Sequence, residues 1–191
     1  MTITAGVNDL PWIQVLGACS NLGSADLCLG LLGGIGAPGG PAVGIAGGVA
    51  QIIGVVRLSA PNAQIVVTGY PQLFGQFSGT CSVGYSAQAG SPMYFSQPQG
   101  GALNQAVLGL NQAIQGGIGA YQAAFLGQTG HLDPAVQYVD VTAAFAGHGL
   151  CDSGDRWISG LINGQPRDRG FHPNVAGQQA YAATIGAALA G

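Results

Sequence analysis

The sequence predicts an α/β domain with a parallel sheet, because short, continuously apolar strands alternate with helical segments along the chain. Strands are predicted at residues 2–6, 65–67 and 136–145, and helices at 9–19, 43–58, 100–125 and 176–190. The third helix is the clearest, since its apolar residues recur at steps of three and four. A long loop is expected at 71–98. The 191 residues suit one domain, 1–191, with right-handed connections between its strands.

The chain carries very little charge. It has no Lys and no Glu, and its four Arg and seven Asp give a net charge of −3. Charged residues make up 6%, against about a quarter in ordinary domains. Four scattered Arg residues cannot form a basic stripe, so nucleic acid is not expected as a partner.

Residues 27–56 contain no charged residue, which raises the question of a membrane span. Pro38 and Pro41 interrupt this segment, together with a cluster of glycines between residues 33 and 40. A spanning helix needs about 20 steadily apolar residues and does not tolerate such breaks. We therefore expect a surface loop followed by a packed helix, with no stable membrane insertion. No signal peptide is recognisable at the start of this chain.

Four cysteines lie in polar, Gly-rich segments, which favours two disulfides and an oxidising compartment. Cys19 and Cys28 are close in the chain, so their pairing is favoured, leaving Cys81 with Cys151. The other two connectivities stay open at this stage. Metal binding is the rival interpretation, but no Cys or His spacing resembles a ligand set, and no metal or cofactor is expected.

Sites in parallel sheets lie beyond the carboxyl ends of the strands, and polar residues follow two of the predicted strands there. Asn8 follows the first strand and could donate to an oxyanion, or Asn8 or Asp9 could simply cap the next helix. The sequence "GYPQLF" follows the second strand. His172 stands before a Pro at a loop-to-helix junction, where a lone His is often only a turn residue. His131 and His148 are expected to face solvent.

The sequences "TAGVND" and "FHPNVAGQQAYA" together resemble the SGNH hydrolases, or GDSL-type lipases and esterases, and within them the secreted actinobacterial branch. The similarity extends over essentially the whole chain. It implies a flavodoxin-like, three-layer α/β/α fold and ester hydrolysis by a serine nucleophile, without a cofactor. By the same resemblance, Asn8 would lie in the oxyanion hole, Gly6 would give the tight backbone beside it, and His172 would be the general base.

Two features depart from the family pattern. In much of the family an Asp three residues before the His orients its ring, but here that position is Arg169. We expect the backbone carbonyl of Arg169 or of a neighbour to replace it, with Asp168 as the alternative. The second departure is the missing Gly-Asp-Ser block, which should precede "TITAGVND". Ser86 and Ser153 do not fit as substitutes. The fold is therefore expected to be incomplete at its N-terminus, with the nucleophile outside this chain.

Three hypotheses of function follow. The first is a serine ester hydrolase acting on lipid or small-molecule acyl esters, secreted or in the cell envelope, with residues 29–49 and 71–100 lining its cleft. The second is a non-catalytic relative that retains the fold for binding or has decayed. The third is a Gly/Ala-rich structural or interaction protein without a site.

Overall fold

The computed structural model describes residues 1–161 and 170–190. The described elements are, in chain order, β1 (Thr2–Ile3), α1 (Trp12–Ala18), α2 (Ala25–Ile35), α3 (Pro41–Ser59), β2 (Ile65–Thr68), β3 (Thr80–Ser86), β4 (Ser91–Ser96), α4 (Gln97–Thr129), β5 (Val136–Val139) and α5 (Val175–Ala190). Short 3-10 turns at Val7–Asp9 and Ala143–Phe145 follow β1 and β5.

The central sheet is parallel, in the order β1-β2-β5. All four residues of β2 are buried, and because successive side chains point to opposite faces, both faces of the sheet are covered. The side chains of Ile65 and Val67 join the core formed with α3 and α4, while α5 also contacts β5. The predicted α/β class, with helical layers on a parallel sheet, is confirmed.

The predicted loop at 71–98 is wrong in its middle, because β3 and β4 form an antiparallel hairpin there. The hairpin shows weak sequence signals, since Gly84 and Pro92 interrupt its two strands and much of it is exposed. Its buried large apolar residues are Val83, Met93 and Phe95, at 3%, 7% and 0% exposure. The hairpin packs through these three side chains onto the core of the sheet.

The predicted surface loop after residue 27 is also wrong in part, because α2 occupies it. The side chain of Ser24 caps this helix by accepting a hydrogen bond from the backbone N–H of Leu27 at 3.2 Å. Gly33 and Gly34 lower the helix propensity of this segment, but the cap and the buried Cys28 offset them.

Helix α3 is long and apolar enough, by length and composition alone, to cross a membrane. In the structure it packs along α4, with Ile45, Val49 and Ile53 in the core. Its opposite face exposes Val55 and Leu58. This packing fits the expected core helix, and the absence of membrane insertion stays a prediction.

The disulfides have the pairing favoured from the sequence. Cys19 is bonded to Cys28, with their Cα atoms 4.6 Å apart, and Cys81 to Cys151, at 5.9 Å. The first joins α1 to α2. The second joins β3 to the loop that follows β5, across 70 residues of chain.

A buried ion pair joins the three elements that meet at the amino end of the sheet. The Nε atom of Arg57, in α3, donates to Oδ2 of Asp133 at 2.8 Å, and the hydroxyl of Tyr121, in α4, donates to the same oxygen at 2.7 Å. Burial alone would raise the pKa of Asp133. The two hydrogen bonds just described, a third from the backbone N–H of Ala135, and the positive charge of Arg57 outweigh burial and hold this pKa below its ordinary value. The carboxylate is therefore the form that the fold requires.

We expect Asp133→Asn to lower the free energy of unfolding near neutral pH by about 3 kcal/mol, because it leaves Arg57 without its partner. A carboxyl group whose pKa is lowered by folding stabilises the folded state at any pH above its ordinary pKa. This stabilisation is lost as the pH falls below that ordinary pKa. Between about pH 5 and pH 2, the free energy of unfolding measured with urea should therefore fall more steeply in the unchanged protein than in Asp133→Asn. The exposed Asp155→Asn variant is the control and should behave as the unchanged protein. Equal pH dependence of all three proteins would contradict the assignment.

Candidate functional site

The turn that carries Asn8 begins at Gly6, directly after the first strand. Gly6 has a φ of 115°, a left-handed conformation that favours glycine. A Cβ atom there would lie 2.8 Å from Cγ2 of Ile45 in α3, so both the conformation and the space exclude a side chain. The next three residues form the 3-10 turn Val7–Asp9, and the side chain of Asn8 is exposed on it.

The alternative that Asn8 or Asp9 caps the following helix is wrong. The N-cap residue of α1 is Pro11, and no side chain makes a capping hydrogen bond to this helix. Capping of α1 would have explained a polar residue at position 8 without any binding function. Because this explanation does not apply, the exposed amide of Asn8 stays a candidate for binding.

Two asparagines of α4 hold the chain as it leaves β2. Oδ1 of Asn111 accepts from the backbone N–H of Tyr70 at 2.7 Å, and its Nδ2 donates to the Tyr70 carbonyl at 2.8 Å. Asn104, two turns earlier in α4, holds the backbone of Phe74 in the same manner, at 3.0 and 2.7 Å. The segment "GYPQLF" is therefore fixed at both ends by side-chain amides that satisfy buried backbone groups.

The clamped end of β2 contacts both candidate segments. The hydroxyl of Tyr70 accepts from the backbone N–H of Val7 at 3.4 Å, next to Asn8. The hydroxyl of Tyr181, in α5, donates to the Gly69 carbonyl at 3.0 Å. Burial raises the pKa of both tyrosines, so both hydroxyls keep their protons. The turn of Asn8 and the helix that follows His172 are thus attached to neighbouring residues at the carboxyl end of one strand.

The segment containing His172 is paired with the loop at 157–159. The backbone N–H of Ser159 donates to the carbonyl of His172, and that of Phe171 donates to the carbonyl of Ser159, both at 2.8 Å. The backbone N–H of Asn174 donates to the Trp157 carbonyl, also at 2.8 Å. These bonds fix the backbone on both sides of the histidine.

The ring of His172 is exposed, and one of its nitrogens has a defined partner. Nδ1 lies 2.9 Å from the carbonyl oxygen of Gly170. A carbonyl can only accept, so Nδ1 is the donor, and in the neutral ring Nε2 carries the free lone pair. Gly170 is the neighbour of Arg169, in line with the expected backbone orientation of the ring. Asp168 and Arg169 themselves lie outside the described residues.

Comparison with known proteins adds relatives of one kind, although no family model matches the chain. A lipase of Streptomyces rimosus is 30% identical over 128 residues, covering 67% of this chain and 38% of the relative. Lipase 1 of Streptomyces coelicolor is 33% identical over 119 residues, covering 62% of this chain and 34% of the relative. This chain thus spans little more than a third of the length of these curated relatives.

Two solved structures share the fold over nearly the whole chain. They are phospholipase A1 from Streptomyces albidoflavus NA297, with a TM-score of 0.66, and an extracellular lipase from Streptomyces rimosus, with 0.64. Each is 25% identical, and each match covers 97% of this chain and 67% of the other. The chain belongs to the SGNH hydrolase superfamily. The motifs around Asn8 and His172 are the ones by which its sequence resembles that superfamily.

One part of this candidate site was not recognised from the sequence, namely the packing that supports the histidine loop. The ring of His148 stacks on that of Trp157, with centroids 3.6 Å apart and planes 4° from parallel. Phe145 meets Trp157 edge-on at 5.6 Å, and the Cys81–Cys151 disulfide ties the same loop to β3. His148 is therefore half-buried, and the expectation that it faces solvent is wrong. The lone Trp in this loop was the signal that could have indicated a packed structure.

His131 and Ser86 contact neither the Asn8 turn nor the loop of His172. His131 is exposed, as expected, with its ring against Phe125 near the end of α4. Ser86 is 9% exposed, and its hydroxyl accepts from the backbone N–H of Ala89 within the β3–β4 turn. That contact gives Ser86 a structural role in the hairpin.

Asn174 links the histidine loop to α5 through both ends of its amide. Nδ2 donates to the Arg156 carbonyl at 2.6 Å, and Oδ1 accepts from the N–H of Gly177 at 3.1 Å. Gly177 is itself close-packed, since a Cβ there would lie 2.5 Å from the Trp157 carbonyl oxygen. Asn174 thus fixes the angle at which the chain enters α5, two residues after His172.

We expect Asn174→Ala to lower the free energy of unfolding by about 1–2 kcal/mol, because it removes the cap of α5 and the hydrogen bond from this cap to the Arg156 carbonyl. Amide hydrogen exchange should also become faster at Phe171 and Ser159, whose N–H groups depend on this loop. Gln178→Ala, an exposed change one turn into α5, is the control. Unchanged stability and exchange in Asn174→Ala would show that the loop does not depend on this side chain.

Proposed function

We propose that this chain supplies the general base and an oxyanion-hole amide of a serine ester hydrolase. The observation that carries the proposal is the ring of His172, with Nδ1 donating to the Gly170 carbonyl, in an SGNH chain. Attachment of the Asn8 turn and of α5 to the same end of β2 supports it. The missing capping role of Asn8 supports it further.

In the proposed mechanism, Nε2 of His172 takes the proton of a serine hydroxyl as its oxygen attacks the ester carbonyl carbon. The amide of Asn8 donates to the oxyanion of the tetrahedral intermediate. The intermediate collapses to an acyl-enzyme, and the imidazolium returns the proton to the leaving alcohol. Water, deprotonated by the same His172, then releases the carboxylic acid.

The nucleophile is proposed to lie outside these 191 residues, because none of their serines follows a Gly-Asp pair. The open edge of β1, which pairs only with β2 in the described sheet, is where a further parallel strand could add. The same absence favours the second candidate, a non-catalytic SGNH relative that binds esters or lipids.

The proposed substrates are carboxylic esters of lipids, on the analogy of relatives named lipase and phospholipase A1. Secretion or a cell-envelope location is proposed as well. Two disulfides fit an oxidising compartment, and one structural relative is an extracellular lipase.

Hydrolysis of p-nitrophenyl esters by the 191-residue chain and by an N-terminally extended form that includes a Gly-Asp-Ser block tests the proposal. We expect turnover only from the extended form. In that form, His172→Ala should lower kcat by about 10²–10⁴ through loss of the base, and Asn8→Ala by about 10²–10³ through loss of an oxyanion donor. His131→Ala, remote and exposed, should have no effect.

Asp168→Asn in the extended form separates the two candidates for orienting His172. Unchanged activity would leave the backbone carbonyl in that role, whereas a large loss would assign it to Asp168. Turnover by the 191-residue chain that His172→Ala abolishes would place the nucleophile among its own serines. No turnover by the extended form on any acyl length would favour the non-catalytic alternative.

A further inference from the structure

The backbone beside His172 departs from a regular strand pair at one point. Ile158 and Pro173 form an antiparallel bridge. In a regular ladder the next residue, Ser159, would therefore exchange both of its hydrogen bonds with His172. The N–H of Ser159 does donate to the His172 carbonyl, but the Ser159 carbonyl accepts from the N–H of Phe171 instead, both at 2.8 Å. Two consecutive residues thus lie opposite one, which is the pattern of a β-bulge.

The first residue of this bulge has a backbone conformation that is unfavourable for its type. Phe171 has a φ of 64°, in the left-handed region, where the first position of such a bulge usually carries glycine. In the part of the chain that the structure describes, Cys151 is the one other non-glycine residue with a positive φ. A bulky residue keeps this conformation only where its surroundings enforce it.

The ring of Phe171 supplies that enforcement through the β3–β4 hairpin. It meets the ring of Phe95 edge-on, with centroids 6.3 Å apart and planes at 81°. Phe95 is 0% exposed, and its ring lies 4.8 Å from that of Phe74. The side chain of Phe171 is therefore packed against the core, whereas the next side chain, that of His172, is exposed.

The bulge also controls the contact that orients the imidazole of His172. Because peptide units are planar, the direction of the Gly170 carbonyl relative to the His172 backbone is set by the φ and ψ angles of Phe171. With φ in the left-handed region, this carbonyl oxygen lies 2.9 Å from Nδ1 of His172. An extended φ would rotate the Gly170 peptide about the N–Cα bond of Phe171 and move the oxygen off the ring.

We propose that Phe171 is a positioning residue for the general base, because the bulge that it forms opposite Ser159 turns the Gly170 carbonyl toward Nδ1 of His172. The assignment rests on the proposed function and adds to that site a residue that acts through His172. Bulges beside active sites commonly redirect a side chain in this way. The result is a ring with its proton on Nδ1 and with Nε2 free to accept the proton of a serine.

The tautomer of His172 tests the assignment without requiring turnover. It is measured by ¹⁵N NMR of the 191-residue chain with labelled imidazoles, at alkaline pH, where imidazoles are neutral. Phe171→Gly and Phe171→Ala remove the same ring, but glycine alone adopts the left-handed φ readily. We expect Phe171→Gly to keep the Nδ1–H tautomer. Phe171→Ala should lose it, since the bulged conformation becomes about five- to thirtyfold less populated relative to the extended one than in Phe171→Gly.

Three controls separate positioning from general stability. Phe171→Tyr keeps the ring and should behave as the unchanged protein. Phe77→Ala removes a ring that contacts Phe74 in the same aromatic cluster, and it should leave the tautomer of His172 unchanged. His148 is the internal control in every variant, because its Nδ1 has its own backbone partner, the Asp155 carbonyl at 2.8 Å. Its signal should stay constant.

Hydrolysis of p-nitrophenyl esters by the N-terminally extended form gives the second readout. The kcat of Phe171→Ala should lie about five- to thirtyfold below that of Phe171→Gly, following the population of the bulged conformation. KM should be the same in both variants, because the base acts in the chemical step.

The assignment is overturned if Phe171→Ala and Phe171→Gly give the same tautomer of His172, or if Phe77→Ala changes it as much as Phe171→Ala does. A change of His148 together with His172 in Phe171→Ala would overturn it as well, because Phe171 would then only stabilise the loop. The expected tautomers in a protein whose extended form hydrolyses no ester would uphold the positioning and contradict only the proposed hydrolysis. Equal kcat in the Gly and Ala variants of an active extended form would contradict the positioning and uphold the hydrolysis.

Discussion

The hydrogen bonds from Asn111 to the backbone of Tyr70 are the interaction on which the arrangement of the candidate site depends. Asn111 is 4% exposed, and its amide satisfies both the N–H and the C=O of Tyr70 just past the end of the central strand. Without these bonds two buried backbone groups would lack partners. Because Tyr70 is held, its hydroxyl meets the Asn8 turn, and Gly69 beside it meets Tyr181 of α5. One helix side chain thus sets the relative position of two loops that are far apart in sequence.

The elements that periodicity identified are the ones whose packing is regular. The apolar stripe at 103, 107, 110 and 114 predicted α4, and those residues are its buried face. The β3–β4 hairpin and α2 were missed because each is only partly buried and contains Gly or Pro, so local propensity argues against it. What holds them lies outside their own local propensity: the Cys19–Cys28 disulfide ties α2 to α1, the Cys81–Cys151 disulfide ties the hairpin to a loop 70 residues away, and the hairpin inserts Phe95 into the core.

The site was predictable as a pair of motifs, but not as an arrangement. Asn8 and His172 stand out by residue type and by resemblance to the SGNH family. The contacts that bring the two segments to the same end of β2 join distant residues, such as Asn111 with Tyr70, 41 positions apart, and Tyr181 with Gly69, 112 positions apart. In the sequence pattern of α4, Asn104 and Asn111 are simply two of its polar residues. Nothing in that pattern shows that they face the end of β2. Only the fold makes them neighbours of backbone groups that need partners.

Charge is distributed unevenly between the amino end of the sheet, where Arg57 and Asp133 pair, and the carboxyl end, where the Asn8 turn lies. The ion pair of Arg57 and Asp133 lies at the amino end of the sheet, where it holds both helices against β5. No charged residue occurs in 27–56 or along the 33 residues of α4, so Arg57, in the last turn of α3, is the one charge that these two helices contribute. At the other end of the sheet, the candidate oxyanion donor Asn8 is followed directly by Asp9, so a hydrogen bond from Asn8 to a developing oxyanion would have to outweigh repulsion from a neighbouring carboxylate.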